Sequence, residues 1–424
     1  MKLSRIGRVS LALVVSVAMG LGMTACGGGT VAYLWVLGTQ YNQIAGFKVD
    51  DFTGNLTQVL HSPFSSGGAN PVSLVVTNAG RYVYVVNQGT GSTDPKDCGG
   101  ATGGITQFSV GGGGILSPQQ CFVSQGTSPV WAASDQSSSY LYVLDQVAPS
   151  ADCSSAHAND PLVCYGDITV FSINSDTGRL TLVLNQQIKD SHGQQLTYFP
   201  VGNHPSTMRF AGGGCLMTLD RGDQTIFPYS VGSAGQLTRP TNSTINLNSV
   251  NATSISVNGS SVYITDAGGT PTSPGGYILP YTVGSSCSLD TATGGAVANL
   301  PLTQNPVYSM TDSAGQYLYV LNQSTTNSNQ QFFSSISAFT IDKTNGKLSP
   351  VNDPGNLPYK VGGGPVCMVE DPTNQYMYIS NSVDGTITGK QFFKPYGTLA
   401  DLKRGSTFTA TGHATCLAIS GNVQ

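Results

Sequence analysis

His204, Asp220 and Arg221 are the residues of this chain best suited to acid–base chemistry. An imidazole titrates near neutrality and can take a proton from water. A carboxylate beside it fixes its orientation, and a guanidinium stabilises developing negative charge. A lone loop histidine is also an ordinary surface residue, so both readings of His204 stand. The other four, His61, His157, His192 and His413, show no ligand spacing, and no CxxC or HxxxH occurs, so no metal is expected. Arg209 lies within the mostly apolar run PSTMRFA. A cation there must meet a carboxylate, with Asp220, Asp266 and Glu370 as the options, or receive an anionic ligand. Trp131 and Tyr308 are large aromatics at matching places in two similar runs; they either stack on a flat or sugar-like ligand or fill a channel. Asp145, Asp266 and Asn322 end further runs, as do Asn87, Asp220 and Asn381. Such side chains cap tight turns and also suit a substrate hydroxyl or a cation.

A repeat positions these residues. An apolar strand, a short turn and a Tyr-rich strand ending in Asn or Asp recur as PVSLVVTNAGRYVYVVN (71–87), PVWAASDQSSSYLYVLD (129–145) and PSTMRFAGGGCLMTLD (205–220). The same phrase returns as NATSISVNGSSVYITD (251–266), PVYSMTDSAGQYLYVLN (306–322) and PVCMVEDPTNQYMYISN (365–381). An Ile with an aromatic three residues on follows each, as in Ile168/Phe171 and Ile336/Phe339, except that Ile387 lacks its aromatic. Alternation of period two makes these strands, and four strands per repeat of about 50–60 residues makes a propeller blade. The chain begins mid-phrase at Tyr33-Leu34-Trp35-Val36 and ends on a lone first strand, GHATCLAISGN (412–422). The two ends complete one composite blade, giving an all-β, seven-bladed propeller of four-stranded antiparallel blades over 32–424. Closure of three strands plus one leaves no unpaired edge. First-to-second and third-to-fourth turns, such as Asn78-Ala79-Gly80, are short and share one face. The insertions, near 88–103, 146–165, 188–204, 267–276 and 323–335, crowd the other, which marks that face as functional.

In each first strand the residue two after the proline position sits near the mouth: Ser73, Trp131, Thr207, Thr253, Tyr308, Cys367 and Cys416. Cys367 and Cys416 thus stand on adjacent inner strands, close enough to consider a bond. Among the eight downstream cysteines, which allow 105 pairings, Cys98 with Cys121 and Cys153 with Cys164 are the natural local pairs.

Lys2, Arg5 and Arg8 precede an apolar run from Val9 to Leu21, too short to span a membrane. Met23-Thr24-Ala25-Cys26 then reads as a lipobox, so residues 1–25 are expected to be a lipoprotein signal peptide and Cys26 the lipidated residue. An ordinary signal peptide cleaved nearby is the alternative. Gly27-Gly28-Gly29 suits a tether over 26–31. The chain is thus expected in the cell envelope, facing the periplasm or exterior, and held to a membrane only by its lipid. Removing the three leading cations from 18 basic residues leaves 15 against 22 acidic. With no basic stripe, nucleic acid is not an expected partner. No cofactor motif occurs, and the chain reads as a monomer.

The phrase YLYVLN, the run ISAFTIDKTNGKLSPV and the blade spacing resemble the lactonase-type seven-bladed propellers, also described by their YVTN repeats. That family includes bacterial 6-phosphogluconolactonase and the fungal carboxymuconate-lactonizing enzyme. The resemblance covers about Tyr33 to Ile419. It implies a site of His, Arg and Glu at the functional mouth, carried by a Pro-His pair, a Gly-Pro-Arg-His run and an Asn-Glu. Here those places read Pro129-Val130-Trp131, His204-Pro205-Ser206-Thr207 and Asp220-Arg221, and the chain's single glutamate, Glu370, belongs to a different blade. The expected function is therefore binding of a small molecule, a glycan or an envelope protein on the loop-rich face, without phosphosugar lactonase activity. The alternative is a diverged hydrolase of an extracytoplasmic sugar-derived lactone, with His204, Arg221 and Asp220 catalytic.

Overall fold

The computed structural model describes residues 29–421 apart from 78–79, 191, 241–243, 248, 250, 269–275, 293, 301–302, 304 and 325–332. Cys26, the leader segment, the first half of the tether and the Asn78-Ala79 turn lie outside the described residues. Seven antiparallel sheets form a ring. Blade 1 orders its strands Leu56–Gln58, Gln43–Asp50, Thr30–Gly38 and, innermost, Ala414–Gly421. The closing strand pairs Leu34 with Ile419, Trp35 with Ala418 and Val36 with Leu417, so the three-plus-one closure is present. Blades 2 to 7 begin with inner strands Pro71–Val76, Thr127–Ser134, Pro205–Ala211, Ala252–Asn258, Pro306–Thr311 and Pro365–Glu370. Apart from blade 2, the outer strand is broken into two pieces, both paired with the third strand.

Second strands are buried on both sides because each sheet packs between two others. In Tyr140–Val147 the run from Leu141 to Asp145 is wholly inaccessible, which is why YLYVLD reads as continuous apolar sequence. The inner strands carry a register shift just after the proline position, as between Pro205 and Thr207, Pro306 and Tyr308, and Pro365 and Cys367. The extra residue bends the strand and re-aims the next side chain. In blade 5 the proline position is Ala252, which faces Asp266, so the mouth residue there is Ser254 and not Thr253. Sequence spacing alone missed this by one because blade 5 lacks the proline that marks the bulge.

A second regularity joins neighbouring blades on the face without insertions. The second-strand Tyr84, Tyr263, Tyr319 and Tyr378 hydroxyls each donate to a glycine carbonyl in the third-to-fourth turn of the next blade: Gly178, Gly346, Gly397 and Gly54. Trp35 Nε1 does the same to Gly114 at 3.2 Å. These glycines have positive φ, and a Cβ on Gly114 or Gly397 would stand 2.2 Å from the ring of Tyr33 or Tyr317. Tyrosine and glycine are therefore required together. Blade 4 has Cys215 where most of its fellows have that packing tyrosine, and Cys287 takes the glycine's place in the blade 5 turn, at φ 60°. These two cysteines are bonded, with Cα atoms 5.6 Å apart.

Candidate functional site

Inner strands of blades 3, 4 and 6 bring Trp131, Arg209 and Tyr308 together at the ring's centre. The guanidinium carbon lies 4.4 Å from the Trp131 ring centroid and 5.8 Å from that of Tyr308. Nη1 donates to Thr207 Oγ1 at 3.0 Å and to the Met208 carbonyl at 2.9 Å, and Nη2 donates to the Tyr308 hydroxyl at 3.1 Å. Arg209 makes no ion pair with a carboxylate among the described residues. The partners considered from sequence are engaged elsewhere. Glu370 ends its inner strand at the opposite face, where it accepts from the Ser313 amide at 2.7 Å, and partial burial raises its carboxyl. Its position follows from strand direction, since Pro365 at the other end of the strand marks the mouth.

His204, Arg221 and Asp220 are neighbours through the backbone only. The Arg221 amide donates to the His204 carbonyl at 3.1 Å. Both side chains are exposed, and Arg221 reaches Asn251 Oδ1 at 3.4 Å. Asp220 is fully buried, with Thr218 Oγ1 at 3.0 Å and Gly202 packed on its carboxyl group. Among the described residues no hydrogen bond or ion pair joins the imidazole to either partner.

The Asn/Asp ring turns inward between blades. Asn322 and Asn381 donate through Nδ2 to Ser337 and Thr388 hydroxyls at 2.9 Å, as Asn87 does to Thr106 at 3.0 Å. Asp266 accepts from the Asn251 and Gly268 amides at 2.9 and 2.7 Å. These residues hold the incoming inter-blade link. Blade 3 is the exception in chemistry: Asp145 is directly opposite Asp167, and both are buried. Sequence reasoning did not single out Asp167, because its partner is defined only by cross-strand register. Ser124 and Thr169 hydroxyls donate to Asp145 at 2.6 and 3.1 Å, while Asp167 Oδ1 has no partner. Burial raises Asp145 to about 7, and burial plus the neighbouring Asp145 holds Asp167 well above the usual carboxylate range.

These raised values have a definite sign. The folded state keeps protons that the unfolded chain releases near pH 4, so stability is highest at low pH within this window and falls as pH rises through about 7. Asp145→Asn, which reproduces the amide of blades 2, 6 and 7, is expected to raise the urea midpoint at pH 8, because it removes the cost of ionising a buried carboxyl. Little change is expected at pH 4. A wild-type midpoint equal at pH 5 and 8 would refute the assignment.

Disulfides pin the loop-rich face. Cys98–Cys121 and Cys153–Cys164 close two insertions, with Cα atoms 5.5 and 4.6 Å apart. Cys367–Cys416 joins the inner strands of blades 7 and 1. With Cys215–Cys287, four bonds suggest an oxidising, extracytoplasmic location. Among the described residues no helix is long and apolar enough to cross a membrane, and no group of three or more His, Cys, Asp or Glu is placed to hold a metal ion.

No family model and no curated protein matches the chain in sequence. Solved structures match in shape. The Pseudomonas aeruginosa periplasmic gluconolactonase PpgL superposes with a TM-score of 0.66 at 15% identity, covering 93% of this chain and 100% of that one. A Lactobacillus plantarum protein gives 0.66 at 16% identity over 92% and 99% of the two chains. A Bacteroides uniformis protein described as a candidate 6-phosphogluconolactonase gives 0.65 at 14% identity, over 92% and 100%. At these identities the likeness is one of fold: the chain is a seven-bladed β-propeller whose fold is similar to that of these lactonase-like structures.

Proposed function

We propose that this is an exported, lipid-anchored propeller that binds an anionic ligand at its loop-rich mouth and does not hydrolyse phosphosugar lactones. The observation that carries this reading is Arg209. Its half-buried charge is matched by no carboxylate among the described residues, and three hydrogen bonds leave two of its five N–H donors unspent. Such a cation, flanked by two aromatic faces, receives an oxyanion and an adjoining flat or sugar-like group. Hydrolysis would need a base oriented by an acid. His204 is exposed and contacts neither Asp220 nor Arg221 through its side chain. The proposed anchor is Cys26, and Cys26→Ser should move the protein from the membrane fraction to the soluble one.

The discriminating experiment sets a panel of small carboxylates and sugar lactones against wild type, Arg209→Ala and His204→Ala. Saturable carboxylate binding that weakens at least about tenfold in Arg209→Ala supports the reading. Lactone hydrolysis above background that disappears in His204→Ala would replace it with a diverged hydrolase.

A further inference from the structure

Blade 7 breaks the repeat at one buried position. Six third strands place an aromatic ring opposite an apolar second-strand residue: Phe47, Phe108, Phe171, Tyr229, Tyr281 and Phe339. In blade 7 that position is Lys390, opposite Met377. The lysine is 6% exposed and lines a cavity of about 590 Å³ between blades 6 and 7; a cavity of about 450 Å³ also opens between blades 3 and 4, but there the third strand contributes Phe227 and no cation. Replacing a buried ring by an ammonium forfeits apolar burial and desolvates a charge. Stability of the ring does not explain that exchange.

The cavity's donors are only partly spent. Lys390 Nζ gives one bond to Asp401 Oδ1 at 2.6 Å, leaving two N–H groups. Asp401 itself is 72% exposed at the rim, so water competes for it. Thr388 Oγ1 accepts from Asn381 Nδ2 at 2.9 Å and from the Gly362 amide at 3.2 Å, which fills its lone pairs and leaves its proton to donate. Thr386 Oγ1 likewise accepts from Asn381 at 3.1 Å. An ammonium and two hydroxyl donors therefore line a cleft of small-molecule size, with Lys360 adding positive charge and Asp384 and Asp401 offering acceptors.

We propose that the blade 6–blade 7 cleft is a binding site for a small hydroxylated carboxylate of the sugar-acid class. The carboxylate meets Lys390 and the Thr386 and Thr388 hydroxyls, and the ligand's own hydroxyls donate to Asp384 and Asp401. The site lies in the outer half of the ring and is independent of the Arg209 reading.

Titration of the full chain with D-glucuronate, followed by calorimetry and saturation-transfer NMR with D-glucose as the uncharged control, tests it. Wild type is expected to bind glucuronate and to show much weaker binding of glucose. Lys390→Phe restores the ring of the other six blades; it should keep or raise the urea midpoint while lowering affinity at least about tenfold. Lys390→Met removes the charge on a similar stem and serves the same purpose if the ring is too large. Because the channel reading also allows a sugar acid at Arg209, the Lys390 variants are titrated in an Arg209→Ala background, where the binding read belongs to the cleft and failure here is separable from failure of the channel reading. Absence of glucuronate binding, equal binding of glucose, or unchanged affinity in both Lys390 variants would overturn the proposal.

Discussion

Deleting residues 413–424 should leave a chain that no longer folds to a closed ring. The deletion removes the inner strand of blade 1, Ala414–Gly421, and with it the backbone pairing along Ala32 to Gly38. Burial of Leu417 and of part of Ile419 is lost, at roughly 1.5–3 kcal/mol for each fully buried apolar side chain. The Cys367–Cys416 bond goes as well; it spans 49 residues and is worth about 4 kcal/mol on loop-closure grounds. The total approaches the whole stability of an ordinary domain, about 5–15 kcal/mol. The exposed edge of Thr30–Gly38 would then pair with other chains. Size-exclusion chromatography and circular dichroism should show aggregated or unfolded protein. A monomer with the wild-type strand signal would show that the closing strand of blade 1 is dispensable.

The second large effect is expected at the junction of blades 4 and 5. Cys215→Ala with Cys287→Gly removes a bond spanning 72 residues, for a loss of about 4 kcal/mol by the same reasoning. Glycine at 287 relieves the positive φ, so the measured loss reports the bond and not strain. The informative comparison is Cys215→Tyr with Cys287→Gly, which rebuilds the ring-on-glycine contact seen at Gly114 and Gly397. It should recover part of the loss in urea denaturation. Equal midpoints for wild type and the Ala/Gly double variant would mean that the bond does not stabilise this junction.

The junction also illustrates what could be read in the chain. Strand alternation, the recurring Tyr-x-Tyr and the final first-strand phrase imply seven blades and their closure, because these signals are local. Pairings across blades are not local. Cys98–Cys121 and Cys153–Cys164 lie within or beside single insertions and were legible, whereas Cys215 and Cys287 become partners only once the Tyr–Gly contact between blades is known. The same holds for the site. Trp131 and Tyr308 could be aligned by counting from proline, but their meeting over Arg209 requires three inner strands to converge. Asp145 and Asn322 could be placed at strand ends near the mouth, yet strand parity turns their side chains between blades. At Ile387 the missing aromatic was visible in sequence; that Lys390 replaces it depends on register.

The Tyr–Gly contacts all point from one blade to the next in the same sense, and all lie on the rim opposite the insertions. These blade-to-blade contacts thus gather as a belt on one side of the disc, away from the insertions. Loops between second and third strands can be lengthened, stapled or exchanged without touching a single rivet of that belt. For protein engineering this makes the upper rim a chassis: a foreign recognition loop could be grafted between Cys153 and Cys164, whose bond closes the 146–165 insertion on itself, while the belt stays untouched.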